Sequence, residues 1–532
     1  VATVALRRPG TVRVRSVSRA RLLYGAGLLA LIVLSLFLRT REMGAHFWID
    51  EGLSIGIARH PFFDIPGVLL QDGSPPLYYM VLHLWIQLVG EGEAATHWLS
   101  LFFALACIPV ALWAGTSLFD RRVGWVLAGL TAINPFLTSY AQETRMYSLV
   151  VLLGMLATAF YLHAYVYDRR RYRIPFGVAL VLLLYTHNWG LFLGFAFAVG
   201  IAVRWFTFTK GAPERRQLLR DAAVGFGTTA LLYLPWVPSF ISQALNTGAP
   251  WANAPGFRTL VRAPDLLLGG FGGTVILLLA AGAGLGTVAQ RGLRERNVLV
   301  PVLAVIAVAP IVVAWLTSQV SPAWATRYLA VAVAPLLVLA ALGLTRAGRL
   351  GIAGLAILAI MWLSASAPST KSNAHYVAYE IGGQLKRGDL VISTQPEQIP
   401  VLSLYIDRWR KRLGRPGDVT YASPFGIQKD TGVTDWRDGT EHFDRTGIDT
   451  QLMPLLDKMP VGGQVALIVP KVFKPKRWTA PWTSRVLERS IEYQGILRGD
   501  PRYELTATVP LWFGGPGPNP LQGLLFRKYR NG

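Results

Sequence analysis

Long apolar runs constrain this chain more than any other feature. They fall at about 22–39, 77–90, 99–118, 123–139, 147–166, 174–188, 190–206, 222–240, 268–289, 298–316, 327–344 and 350–366. Most reach or approach the roughly 20 residues that a helix needs to cross a bilayer. In lipid every backbone polar group must be satisfied internally, which leaves helices or closed barrels. Charged residues make up only 15% of the chain, against about 25% in a soluble domain. The chain therefore reads as a polytopic α-helical membrane protein.

The formal charge of +22 would point to nucleic acid in a soluble chain. Here the basic residues cluster between apolar runs, where they report membrane orientation. With no His/Cys cluster and no aromatic RNA-binding motif, no nucleic-acid partner is expected. Cys107, the single cysteine, lies inside an apolar run and reads as a small buried side chain. The first apolar run follows a basic segment, as in a signal sequence. It is too long for an h-region and lacks a small-residue cleavage site, so it reads as a retained anchor.

Charge also decides the number of spans. The run 77–90 is short and fits a helix lying along the interface. If it does not cross, Asp120–Arg122, Asp168–Arg173, Lys210–Asp221, Gln290–Asn297 and Arg346–Arg349 all share the side of Arg7, Arg8, Arg13, Arg15, Arg19 and Arg21. That side is then cytoplasmic. The reading gives about eleven transmembrane helices, with the N-terminus inside and the C-terminus outside.

Two domains follow. Residues 1–366 form the membrane core, with external loops at 40–98 and 241–267. Residues 367–532 are mixed and charged, and form an extracytoplasmic α/β domain. In it Asp389–Ser393 and Val465–Val469 read as buried strands, 397–411 and 482–494 as helices, and 502–513 as a further strand. Residues 414–448 show no periodicity and read as loop.

Polar residues at the outer edge of the core mark candidate chemistry. Asp50 and Glu51 open the first external loop, where carboxylates held at a membrane face point to function. One would serve as a general base; the rival reading is an exposed pair capping a helix over Gly52–Ala58. Asp72 precedes Gly73-Ser74-Pro75-Pro76 and either fixes a turn or faces a site. Tyr78 and Tyr79 are site aromatics or interfacial anchors. Glu143 and Arg145 sit between two spans, as a local ion pair or as the wall of a cavity. His187, in Tyr185-Thr186-His187-Asn188-Trp189, is a ligand, a proton shuttle or a satisfied core residue. Arg327 and Tyr328 begin a span, and Arg327 suits an anionic headgroup or a departing phosphate.

In this order, Phe47–Gly52, Ser74–Tyr79, Tyr140–Ser148, Tyr185–Trp189 and Arg327–Leu329 resemble the integral-membrane glycosyltransferases of the GT-C type. The nearest likeness is the bacterial group related to protein O-mannosyltransferases and lipid A aminoarabinose transferases. The resemblance covers about 20–345. It implies a GT-C fold in the bacterial inner membrane and a polyprenyl-phosphate-linked sugar donor. The acceptor would be a hydroxyl of a glycan, lipid or protein on the outer face, with membrane lipids as surroundings. It places the catalytic carboxylate at Asp50 and a second acidic position at Glu51, and gives binding roles to Asp72, Tyr78, Tyr79, Glu143, Arg145, His187, Arg327 and Tyr328. The chain departs from the pattern at His97-Trp98-Leu99-Ser100, where many relatives carry an arginine. A divalent cation, Mg or Ca, is an open expectation near Asp50 and Glu51, since two carboxylates are an incomplete ligand set. The rival functions are a multi-span transporter of lipid or small solute and a non-catalytic envelope assembly protein.

Overall fold

In the computed structural model, residues 19–295, 298–365, 370–415, 418–511 and 520–531 are described. Arg7, Arg8, Arg13 and Arg15, and the end of the strand expected at 502–513, lie outside them.

Among the described residues eight helices are long and apolar enough to cross a membrane, the first of them α1 (Arg19–Arg39). Three segments read as spans form shorter helices of 13, 12 and 15 residues. Asn134-Pro135 ends the run expected at 123–139, because proline favours a first helical turn and Asn134 caps the next one at Leu137. Apolar side chains such as Leu22, Leu29, Phe37 and Leu278 stay exposed on the helices, as expected for a lipid-facing surface.

Between the first two long helices lie α2 (Ile49–Ala58), α3 (Ile65–Asp72) and α4 (Leu77–Val89), followed by the spanning α5 (Glu93–Leu118). The breaks fall at Pro61 and Pro75-Pro76, because proline cannot continue a helix interior. Four more helices complete the first half: α6 (Arg121–Ile133), α7 (Pro135–Tyr140), α8 (Tyr147–Tyr161) and α9 (Arg173–Leu184). The basic loops gather at the opposite end of the bundle. There Arg346 pairs with Asp120 at 2.6 Å, Arg204 pairs with Asp168 at 2.7 Å, and Arg173 pairs with Asp221.

After α10 (Gly190–Thr207) and α11 (Pro213–Tyr233), α12 (Val237–Asn246) and α13 (Phe257–Leu267) replace most of the loop expected at 241–267. Prolines mislead here. Pro238 sits in the first turn of α12, where its missing N–H costs nothing, and Pro264 lies near the end of α13. The core closes with α14 (Phe271–Ile276), α15 (Gly282–Glu295), α16 (Leu299–Val320), α17 (Ala330–Arg346) and α18 (Arg349–Leu363).

Beyond these, a six-stranded mixed sheet has the order β3-β2-β1-β4-β6-β5. Helix α19 (Ala374–Gly382) leads to β1 (Leu390–Ser393), α20 (Ile399–Arg412), β2 (Thr420–Ser423), β3 (Gly426–Ile427), α21 (Gly439–Arg445), α22 (Met453–Lys458), β4 (Gln464–Pro470), α23 (Pro481–Gly499), β5 (Tyr503–Thr508) and β6 (Leu521–Lys528). β1 lies parallel to β2 and β4, and β6 runs antiparallel to both β4 and β5. Thus 414–448 is not all loop. It holds β2, whose four residues are too few to show a period but pair with β1. Side chains alternate across the sheet. Leu390, Ile392, Val465 and Leu467 enter one core, while Val391, Ala466 and Ile468 enter the other. That second core also contains Phe47 and Ile55, which belong to the segment before α5.

Candidate active site

Helix α2 carries the acidic pair into the junction of membrane core and C-terminal sheet. On its far side Gly52 meets Val401 of α20 and Gly56 meets Gly432. A Cβ at either glycine would stand 2.5 Å from Val401 Cβ or 2.1 Å from the Gly432 carbonyl oxygen. Only glycine admits so close an approach.

The two carboxylates face different partners. Glu51 is fully buried and its oxygens are taken: Oε1 accepts from the Thr144 N–H at 2.8 Å, lies 2.7 Å from His97 Nε2, and accepts from Lys371 Nζ at 3.0 Å. Oε2 accepts from Lys371 at 3.1 Å and, more weakly, from the Trp48 N–H at 3.4 Å. Burial pushes the Glu51 carboxyl up, but Lys371 and His97 outweigh it and hold it below the usual range. Lys371 Nζ also donates to the Gln142 carbonyl at 2.6 Å. The helix-capping expectation is thus met in part, by a buried rather than exposed carboxylate.

Asp50 stays partly accessible. Its Oδ2 lies 3.1 Å from Arg327 Nη2 and 3.9 Å from Arg145 Nη2, as ion pairs without directed hydrogen bonds to that oxygen. Arg145 fixes the backbone instead, donating to the Asp50 carbonyl at 3.2 Å and to Ser54 Oγ at 3.1 Å. It is therefore tied to α2 across the site rather than closing a local pair with Glu143. Arg327 is boxed by the rings of Trp48, Trp251 and Tyr328 and donates from Nε to the Tyr147 hydroxyl at 3.1 Å.

The remaining candidates take clear places. Tyr78 and Tyr79 are fully buried, so neither anchors at an interface. Tyr78 lies 3.5 Å from Ser100, which donates to the Arg145 carbonyl. Asp72 ends α3 before left-handed Gly73; burial first, with the Asp50 charge adding, pushes its carboxyl up. His187 packs against Tyr147 and Tyr328. Its Nδ1 accepts from the Trp189 N–H at 3.1 Å. Burial, then the charges of Arg145 and Arg327, lower it to about 3, which favours the neutral ring. Tyr328 packs on His187, Trp189 and Trp251.

Glu143 lines a cavity of about 860 Å³ together with Tyr140, Thr326 and one face of α13 that includes Arg258, Arg262 and Asp265. The cavity wall at Thr326 adjoins Arg327. Sequence reasoning missed Arg258 and Arg262, which lie one helical turn apart, and also Lys371 and His97. His97 stood out in the sequence as a departure from the resembled pattern, and the structure turns it onto Glu51.

A divalent cation does not fit the acidic pair. Glu51 is already neutralised by Lys371, Asp50 faces two guanidinium groups, and among the described residues no group of three His, Cys, Asp or Glu side chains is arranged to hold a metal.

No family model and no curated protein matches the sequence. Solved structures do. ArnT from Cupriavidus metallidurans, both in the apo state and bound to undecaprenyl phosphate, superposes with a TM-score of 0.56 at 14% identity, covering 95% of this chain and 98% of that one. The archaeal oligosaccharyltransferase AglB from Archaeoglobus fulgidus, in complex with an inhibitory peptide and a dolichol-phosphate, gives 0.53 at 12% identity, covering 89% and 72%. The likeness establishes a shared fold along nearly the whole chain.

Proposed function

We propose that this protein is a glycosyltransferase that moves a monosaccharide from a polyprenyl-phosphate-linked donor to an acceptor hydroxyl on the outer face of a bacterial inner membrane. The observation that carries the reading is a partly accessible carboxylate, Asp50, set between two arginines and within electrostatic reach of Glu143, which lines a large cavity whose wall also bears Arg258 and Arg262. The resemblance in sequence order and the fold shared with a protein solved with undecaprenyl phosphate support it.

In this reading the lipid phosphate enters the cavity, where the two guanidinium groups of α13 offer several donors to its oxygens. The acceptor hydroxyl meets Asp50, which takes its proton as the acceptor oxygen attacks the anomeric carbon. The anomeric C–O bond breaks on the opposite face, its electron pair leaves with the phosphate, and the configuration inverts. Arg327 links the two halves, since it holds Asp50, follows Thr326 of the cavity wall and acts electrostatically on Glu143. Glu51 acts as a positioning residue: it fixes the first turn of α2 through Lys371, His97 and Thr144 and is too fully engaged to serve as a base.

Asp50→Asn is expected to leave folding intact and to lower transfer by roughly 10²–10⁴-fold. Mass analysis of product from a polyprenyl-phosphate sugar by purified protein measures this. Undiminished transfer in the variant overturns the assignment.

A further inference from the structure

Glu143 stands in the cavity wall with a buried oxygen, Oε2, that has no hydrogen-bond partner within the chain. A buried polar atom left unpaired is costly and points to a group that arrives with the substrate. The charges acting on it are Asp50 and Glu51 from α2, Lys371 from the segment before α19, and Arg327 from the turn before α17. The hydroxyls of Tyr140 on α7 and Tyr78 on α4 lie within its electrostatic reach. Arg258, Arg262 and Asp265 on α13 line the same cavity.

Burial, with Glu51 and Asp50 adding to it, lifts the Glu143 carboxyl to about 7 against the pull of Lys371 and Arg327. An anion in the cavity raises it further. An ionised Glu143 would repel a phosphate, whereas a neutral one presents an O–H to it.

We propose that Glu143 works in its neutral form, as the hydrogen-bond donor to the phosphate of the lipid-linked donor. This rests on the reading of the cavity as the donor site. While the anomeric C–O bond is intact the phosphodiester carries one negative charge. As the bond breaks, the electron pair stays on the phosphate oxygen and a second charge develops there. The Glu143 hydrogen bond strengthens with that charge, while its proton stays on the carboxyl, because a phosphate monoester takes its second proton near a pKa of about 6, below that of Glu143. The proton of the acceptor hydroxyl goes separately to Asp50.

The test is equilibrium binding of an undecaprenyl methyl phosphodiester, whose single charge stays constant from about pH 5 to 9 because a diester lacks the second ionisation. The wild-type protein, Glu143→Gln and Glu143→Ala are compared. Wild-type affinity is expected to fall about tenfold between pH 6 and 8 as the neutral fraction of Glu143 falls. Glu143→Gln, which keeps an N–H donor and cannot ionise, should bind tightly with no such slope. Glu143→Ala should bind weakly and also lose the slope. A wild-type profile as flat as that of Glu143→Gln, or a glutamine variant as weak as alanine, overturns the inference while leaving the donor site standing. Absence of diester binding by wild type at every pH overturns the donor-site reading itself.

Discussion

Glu51 and Lys371 form an ion pair taken almost wholly out of water, with side-chain exposures of 0% and 6%. Breaking such a pair from one side costs about 3–5 kcal/mol, because the partner is left charged and buried. Glu51→Gln and Lys371→Met are each expected to lower thermal stability by that order. The double variant should lose less than the sum, since the two act through one contact. Equal additivity in thermal unfolding would contradict the pairing. The pH dependence has a definite sign. Glu51 is depressed in the folded state, so its contribution is fully present above its unfolded value of about 4.3 and is lost as pH falls through its lower folded value. Asp50 differs in kind: it is held by guanidinium charges rather than saturated by hydrogen bonds, so it remains available to chemistry.

At the scale of elements, α2 is the piece on which the site depends. Its N-terminus is pinned by Arg145 and its glycine face is pinned by the C-terminal sheet. Gly56→Val would set side-chain atoms where the Gly432 carbonyl stands. The 430–434 segment, tied to α2 through His60 Nε2 and Asp430 Oδ2 at 2.9 Å, is then expected to lift away. Hydrogen exchange should report loss of protection there and at α2, with the spanning helices unchanged. A native exchange pattern would mean that the close approach is relieved elsewhere. Helix α13 is the second working element. It was hidden in a segment read as loop, because Pro, Gly, Trp and Asn in its surroundings masked an amphipathic turn that brings Arg258 and Arg262 to one cavity.

At the scale of the whole molecule, the C-terminal sheet and the membrane core are not separable units. Phe47 and Ile55 complete a core of the sheet domain, and the Phe47 N–H donates to the Tyr405 hydroxyl at 2.7 Å. Further hydrogen bonds join Trp436 to Gln71, Asp438 to Asn246 and Trp482 to Pro250. Truncation after Leu363 removes Lys371 and uncovers the glycine face of α2. The truncated chain is expected to unfold at lower temperature than the full chain and to lose binding of undecaprenyl phosphate. Retention of both would show that the core carries the site alone. Adding the separate domain back is not expected to restore binding, because its core lacks Phe47 and Ile55.

The sequence by itself determined the membrane class, the long apolar helices, and the strands at β1, β4 and β5. Each of these is written in neighbouring residues, as hydropathy, alternation or a local motif. Only the tertiary structure decided that Glu51 is a buried anchor, that His97 and Lys371 hold it, that Glu143 faces a cavity, and that Phe47 belongs to the core of a distant domain. The physical reason is separation along the chain. Lys371 and Glu51 stand 320 positions apart, and a contact of that range leaves no pattern in either local segment. Burial, which sets the charge state of every acid at this site, exists only once both segments are folded together.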